Sequence, residues 1–324
     1  MRVSFYLPRH YLPSAEKQLA WQEGRAVTLE QSGKIACAQA WIFQTWAALQ
    51  GAGFSADLIH ETPLEGILIT ITGCLPPGFL APPGLFVAGI VADGLPHPGA
   101  HIHIVQNSRH ARRLPGAVFM PLWPQPNLIP RSPQRGGSFE RVAFLGDERN
   151  LAPELRAPAW QDALRRETGA LLEIRGAAAW HDYHDVDAVV AVRDFRGAKQ
   201  LHKPATKLYN AWLAGTPFVG GADSAYASDG HAGQDYLAAR SPDEVLSCLR
   251  RIKSDPDLRR RLVAEGTRAA QAFTPQAITQ RWRDLLAADF PARAAALASR
   301  NPWRQRCDNL VRRAVCLADR VFRD

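Results

Sequence analysis

The chain has 324 residues, 46% hydrophobic and 22% charged, the usage of an ordinary globular protein and enough for two domains that each bury a core. That composition excludes a disordered chain, and no apolar run approaches the roughly 18 to 20 residues of a spanning helix. The formal net charge is +8, but residues 291–324 carry eight arginines against three aspartates, so most of the excess sits in one terminal segment. A nucleic-acid binder more often spreads its basic residues over a groove-facing element interleaved with aromatics. The nearly balanced remainder points to an enzyme for small anionic molecules, with no nucleic acid as partner.

Strands are predicted at 2–7, 56–60, 66–72, 85–91, 101–106 and 117–121, continuous apolar runs of the kind covered on both faces in a parallel sheet. Ile35, Ala38, Ile42, Trp46 and Leu49 recur at helical spacing and predict the first crossover helix over 35–50. Residues 121–138 hold five prolines and two glycines, which continue neither a helix nor a central strand and mark a domain boundary. A second alternation follows: strand 141–145, helix 158–168, strands 170–175 and 188–192, helix 204–214, a strand around Pro217-Phe218-Val219, and helices 242–253, 256–272 and 275–288. The expected architecture is α/β, two Rossmann-like doubly wound domains facing across a cleft. The domains are 1–123, a proline-rich linker 124–138, a second domain 139–290 and a basic helical tail 291–324.

Five scattered cysteines (Cys37, Cys74, Cys248, Cys307, Cys316) form no Cys-x-x-Cys. They predict reduced thiols in the cytoplasm rather than a disulfide framework or a zinc site. The N-terminal Met1-Arg2-Val3-Ser4-Phe5-Tyr6-Leu7-Pro8 reads as a strand stopped by proline, not as a signal peptide.

Several motifs admit two readings. Gly51-Ala52-Gly53-Phe54-Ser55-Ala56 has the spacing of a dinucleotide fingerprint, but a helix precedes it and a strand follows, so it reads as a glycine cap and turn. Asp185-Val186-Asp187, with His181 and His184, has the composition of a metal site or of a polar loop capping strand 188–192; no metal is expected. Ser32-Gly33-Lys34, before the first helix, reads as an anion site for acceptor or phosphate, or as a serine cap. Asp93 and His97 follow a strand end, where open α/β sheets place ligand groups, and are candidate general bases; His101 and His103 read as packed residues.

The segment 193–226 is the most informative. Pro204 presets a first helical turn, Thr206 offers a hydroxyl, and Lys203 and Lys207 are four residues apart, so one helix start presents two ammonium groups to a diphosphate. Gly215-Thr216-Pro217 ends that helix and leads into a buried strand. The alternative is a surface helix with solvated lysines.

The string Lys207-Leu208-Tyr209-Asn210-Ala211-Trp212-Leu213-Ala214-Gly215-Thr216-Pro217 resembles the donor-binding K-L-x-E-A-x-A-x-G-x-P motif of GT-B glycosyltransferases, particularly the family 4 type. Phe144-Leu145-Gly146 resembles the glycine turn after the first donor-domain strand, and Asp187-Ala188-Val189-Val190 its a-D-v strand. The family's two motif glutamates are replaced by His202 and Asn210. The wider string resembles an uncharacterised bacterial subgroup. The resemblance implies a metal-independent transferase without a cofactor, using a UDP- or GDP-type nucleotide-diphosphate sugar as co-substrate and a carbohydrate or lipid-linked acceptor, in bacterial surface polysaccharide or glycoconjugate synthesis. It places Lys203, Lys207 and Thr206 on the diphosphate, Gly146 and Arg149 at the facing turn, Asn210 on the ribose, and Ser224 and Tyr226 beside the donor sugar. Arg193 belongs to the same donor site, and Asp93, His97 and His202 to catalysis. The rival is a non-catalytic nucleotide- or sugar-binding protein on the same scaffold.

Trp303, Cys307, Leu310, Val311, Ala314, Val315, Ala318 and Val321 recur at helical spacing among arginines. The tail reads either as a helix lying on an anionic membrane surface, which would make the protein peripheral on the inner face of the cell membrane, or as a helix packed on the body with snorkelling arginines.

Overall fold

Short runs rich in Val, Ile and Leu form eleven strands among the described residues, and every pairing between them is parallel. The structure, a computed structural model, describes residues 1–22 and 33–321. The chain divides into two compact units: residues 1–123, 202–204 and 275–323 form the first, and 124–201 with 205–274 the second.

In unit 1, β1 (Val3–Tyr6), β2 (Asp57–Ile59), β3 (Glu65–Ile71), β4 (Gly84–Ile90), β5 (Ile102–Val105) and β6 (Val118–Phe119) assemble in the order β2-β1-β3-β4-β5-β6. The predicted crossover helix runs through Gly33–Ala38, a π segment Gln39–Phe43 and Gln44–Gly51. It buries Trp41, Ile42 and Phe43 against Phe5, Ile67 and Ile69. Gly53 at φ +74 turns the chain from this helix toward β2, so the glycine-rich segment caps and turns.

The last helices differ from expectation. Pro275–Asp284, a π segment Leu285–Asp289 and Phe290–Ala298 run on as one helical stretch whose Ile278, Trp282, Leu286 and Phe290 are buried in the unit 1 core, with Trp282 edge-on to Phe5 at 6.2 Å. The boundary expected at 290 therefore falls at Pro275 in the compact units, because the apolar face of this stretch completes the first sheet's core rather than the second's. Among the described residues of unit 1, two short helices lie outside the expectations, Ala15–Gln22 and Ser108–Arg113, the latter capped by the Asn107 side chain, which accepts from Arg109 N–H at 3.0 Å.

In unit 2, β7 (Arg141–Leu145), β8 (Leu171–Arg175), β9 (Ala188–Ala191), β10 (Phe218–Gly220) and β11 (Leu237–Ala238) assemble in the order β11-β10-β9-β7-β8. The order reverses between β7 and β9, which makes the C-terminal ends of those two strands the switch point where such sheets open a crevice. The proline-rich stretch expected as a linker is tied into this unit: the amides of Ile129, Arg131 and Ser132 donate to the carbonyls of His181, Ala214 and His184 at 2.8, 2.9 and 2.8 Å. No helix of the described residues is long and apolar enough to cross a membrane.

Asp187 fastens the stretch. Its fully buried carboxylate accepts from Arg131 at 2.9 Å, from Arg135 at 2.5 Å, and from the amides of Glu140 and Arg141 at 2.8 and 3.0 Å. Burial alone would raise this carboxyl group, but Arg135, the two amides and Arg131 together hold it below the usual range. Asp187→Ala is expected to cost unit 2 about 3 to 5 kcal/mol, since it leaves two guanidinium groups without their buried partner; urea titration measures the loss. Because the folded value lies below the unfolded one, this contribution is complete above about pH 4 and lost as pH falls further. Asp187→Asn should therefore flatten the acid limb of unit 2's stability curve.

Candidate functional site

At the unit 2 switch point, β7 ends at Leu145 and the chain passes through Gly146. A Cβ there would collide with the Lys207 ammonium group, so the missing side chain makes room for the cation. Lys207 Nζ also lies 5.0 Å from the centre of the Phe144 ring, a cation–π contact. The helix carrying it, Thr206–Leu213, is held from below: Tyr209 stacks on Phe273 at 3.9 Å, and Trp212 Nε1 donates to the Asp235 carbonyl at 3.0 Å. Trp212 itself fits because residue 266 is glycine; a Cβ at Gly266 would strike the indole ring. At the helix start the Thr206 hydroxyl is buried without a hydrogen-bond partner.

Three further groups stand at these strand ends. Arg149 pairs with Asp147 in the turn after Gly146, and that side chain, the Arg149 amide and more weakly Lys207 hold the Asp147 carboxyl at about 2. Arg193, after β9, donates to Asp223 at 3.0 Å and to Asn150 at 3.1 Å. Burial raises the Asp223 carboxyl, opposed by Arg193 and Lys207. A helix start with an ammonium group, an unsatisfied hydroxyl and a glycine turn at a switch point has the chemistry of an oxyanion site.

Other expected donor residues lie elsewhere. Asn210 is 6% exposed. Its side-chain carbonyl accepts from the Gln125 amide at 2.9 Å, and its side chain hydrogen-bonds the Tyr183 hydroxyl. The amide expected on a ribose is thus occupied in clamping the proline-rich stretch. Tyr226 is buried in the core, edge-on to Phe218 at 5.1 Å, with burial raising its hydroxyl pKa, and Ser224 is buried beside it in sequence. Neither position faces outward to border a sugar, since the helix Tyr226–Asp229 turns its first residue into the sheet.

Lys203 also differs from expectation. The helix begins at Thr206, and residues 202–204 belong to unit 1, so the two lysines do not share a helix start. Lys203 Nζ donates to Asp93 at 2.9 Å, and the other Asp93 oxygen accepts from Gln106 at 2.8 Å. Gln106 and Asn107 also donate to the carbonyls of His202 and Lys203, at 2.7 and 3.2 Å. Asp93 follows β4 in a turn opened by Ala92 at φ +48, with its carboxylate about half exposed. Its charge, after burial, helps push the nearby Cys37 thiol up to about 12.

His97 is a structural pin. Its Nδ1 accepts from the Gly99 amide at 3.0 Å, so Nε2 carries the proton and donates to the Pro76 carbonyl at 3.0 Å. Both ring nitrogens are spent on backbone, which leaves no lone pair for the general base expected there. Gly33 opens its helix at φ +75 and Lys34 is exposed; Ser32 lies outside the described residues. Asp185 receives Arg141 and Arg175, and Asp187 the linker arginines, so both carboxylates of the Asp-Val-Asp motif serve ion pairs. Sequence reasoning passed over Thr72, whose hydroxyl is buried without a hydrogen-bond partner just after β3. The sequence gives no signal for it beyond a threonine ending an apolar strand.

Burial lowers His101 and His103 to about 4. An unfolded histidine near 6.5 takes up protons that these folded rings refuse, so unit 1 should lose stability as pH falls from about 6.5 toward 4, by roughly 3 kcal/mol per ring at the lower end. Unit 1 should accordingly unfold in acid before unit 2, and His101→Gln should reduce the slope. Urea titrations at a series of pH values, following Trp282 in unit 1 and Trp212 in unit 2, measure both.

Residues 135–287 match the glycosyl transferase-like family. No curated protein matches the sequence. The fold is similar to that of sucrose-phosphate synthase from Thermosynechococcus elongatus, at a TM-score of 0.57 and 14% identity over 90% of this chain and 100% of that one. It is similar to Anabaena HepE, solved with UDP and glucose, at 0.52 and 12% over 89% of this chain and 100% of that one. Pneumococcal O-GlcNAc transferase GtfA, solved with UDP and GlcNAc, matches at 0.48 and 12% over 76% of this chain, which spans only 60% of that protein's length. With its two parallel sheets and flanking helices the chain has the GT-B fold, and its residues 135–287 are similar to the glycosyl transferase-like family.

Proposed function

We propose that the chain transfers a sugar, of hexosyl type, from a UDP- or GDP-type nucleotide-diphosphate donor to a hydroxyl of a carbohydrate or lipid-linked acceptor, in bacterial surface polysaccharide or glycoconjugate synthesis. The observation that carries this reading is the Lys207 ammonium group seated in the hollow of Gly146 at the unit 2 switch point. In such a transfer negative charge develops on the departing diphosphate, and preorganised donors aimed at it lower the barrier. Lys207 supplies the charge, the Thr206 hydroxyl turns its hydrogen to a phosphate oxygen, and the amides of the first helical turn add their partial charge. The reaction is assigned no metal, because the carboxylates available to hold one, Asp185, Asp187 and Asp147, are neutralised by arginines. Asp93 is the group assigned to receive the acceptor's proton; a half-exposed carboxylate has the hydrogen-bond reach that His97 lacks.

Calorimetric titration with UDP, GDP and ADP tests the donor site. One of the three should bind. Lys207→Ala should weaken it roughly 10- to 100-fold, the worth of a charge-assisted hydrogen bond. Gly146→Ala should weaken it less, by displacing the ammonium group. No binding, or unchanged binding by Lys207→Ala, contradicts the assignment. Asp93→Asn should leave nucleotide affinity intact and lower transfer by a factor of about 100 or more. Binding with neither transfer nor slow donor hydrolysis would favour the non-catalytic reading.

A further inference from the structure

The helix Pro302–Val321 packs on unit 1 with its polarity reversed. Its inward side carries charge: Arg312 Nε donates to the Pro98 carbonyl at 3.4 Å, and Asp319 accepts from the buried His110 at 2.9 Å. Among its apolar residues Val315 packs inward, on the Val91, Val105 and Leu114 cluster. Its outward side holds Trp303, Leu310, Val311 and Leu317, exposed by 72, 65, 61 and 61%. A helix that serves only to cover a core does the opposite.

The outward side is ordered. Trp303, Leu310 and Leu317 recur every seven residues and so form one stripe along the helix. Arg313 and Arg320 stand three residues beyond Leu310 and Leu317, on the flank of that stripe, and are exposed, as is Arg304. The helix's described acids do not oppose this charge: Asp308 pairs with Arg300 and Asp319 with His110. Beside the helix, Leu80, 68% exposed, lies in a loop that shares with Arg312 and Arg313 a cavity of about 290 Å³.

We propose that this face docks the protein on an anionic lipid bilayer. Trp303, Leu310 and Leu317 enter the boundary between headgroups and acyl chains, and Arg304, Arg313 and Arg320 meet the phosphates. A purely cationic rim around an apolar stripe fits that partner. A second copy of the chain fits it poorly, because a two-fold pairing of this face would set one arginine row against another. The surface contains none of the groups assigned to donor binding, so the inference stands independently of the transfer reaction.

Sedimentation of the full-length protein with phosphatidylcholine vesicles, with and without phosphatidylglycerol, tests it. The protein should pellet with the anionic vesicles only, and less as salt rises. Arg313→Glu with Arg320→Glu should reduce partitioning by about tenfold or more. Trp303→Ser, Leu310→Ser and Leu317→Ser combined should reduce it similarly while the melting temperature stays unchanged, since the three side chains are exposed. Protein left in the supernatant, equal pelleting with neutral vesicles, or variants that pellet like the wild type would each overturn the proposal. So would a wild-type dimer that the serine variant makes monomeric, which would assign the face to a second copy.

Discussion

One cation in one hollow organises the second unit. The Lys207 ammonium group occupies the space that a side chain at residue 146 would fill, above the Phe144 ring and at the point where the strand order reverses. Everything that fixes the Thr206–Leu213 helix acts on that placement: the Tyr209–Phe273 stack, the Trp212–Asp235 hydrogen bond, and the glycine at 266 that admits the indole. A lysine on a flexible surface would spend side-chain entropy on gripping an anion. Here packing has already restricted the backbone that carries it.

The remaining charges of the unit are largely committed to structure, which separates scaffold from site. Asp187 consumes two arginines and two amides to hold the proline-rich stretch, Asp185 consumes two more arginines, and Arg193 is shared between Asp223 and Asn150. The pairs of Asp187 and of Asp223 are the buried ones, and such pairs cost more to break than they contribute when made. In unit 1 the histidines have a comparable role. His97 and His101 each accept a backbone amide, and the buried rings stay neutral through mild acid.

The sheet elements, apart from the two-residue β11, were legible because their cause is local. Val142 to Leu145 are covered on both faces, and the helix Pro158–Thr168 starts with a proline and stops at Gly169 in the left-handed conformation, all of it written in a few consecutive residues. What was not legible depends on partners distant in sequence. The motif string located the helix of Asn210 but not the direction of its amide, which Gln125 and Tyr183 decide. Spacing put Lys203 and Lys207 on one helix face only if the helix began before 203, and it begins at Thr206, after residues drawn to Gln106 and Asn107. Helical periodicity found the apolar residues of the final helix, but only contacts reveal that most of them face away from the protein.

In the proposed reaction Lys207, seated against Gly146, meets the phosphates of a nucleoside diphosphate. A crystal structure of the full chain with UDP or GDP bound tests it most directly. A terminal phosphate oxygen should lie within hydrogen-bond reach of Lys207 Nζ and of the Thr206 hydroxyl, above the end of β7. Phosphates bound at another edge of the unit, with the ammonium group still resting over Phe144 and untouched, would contradict it.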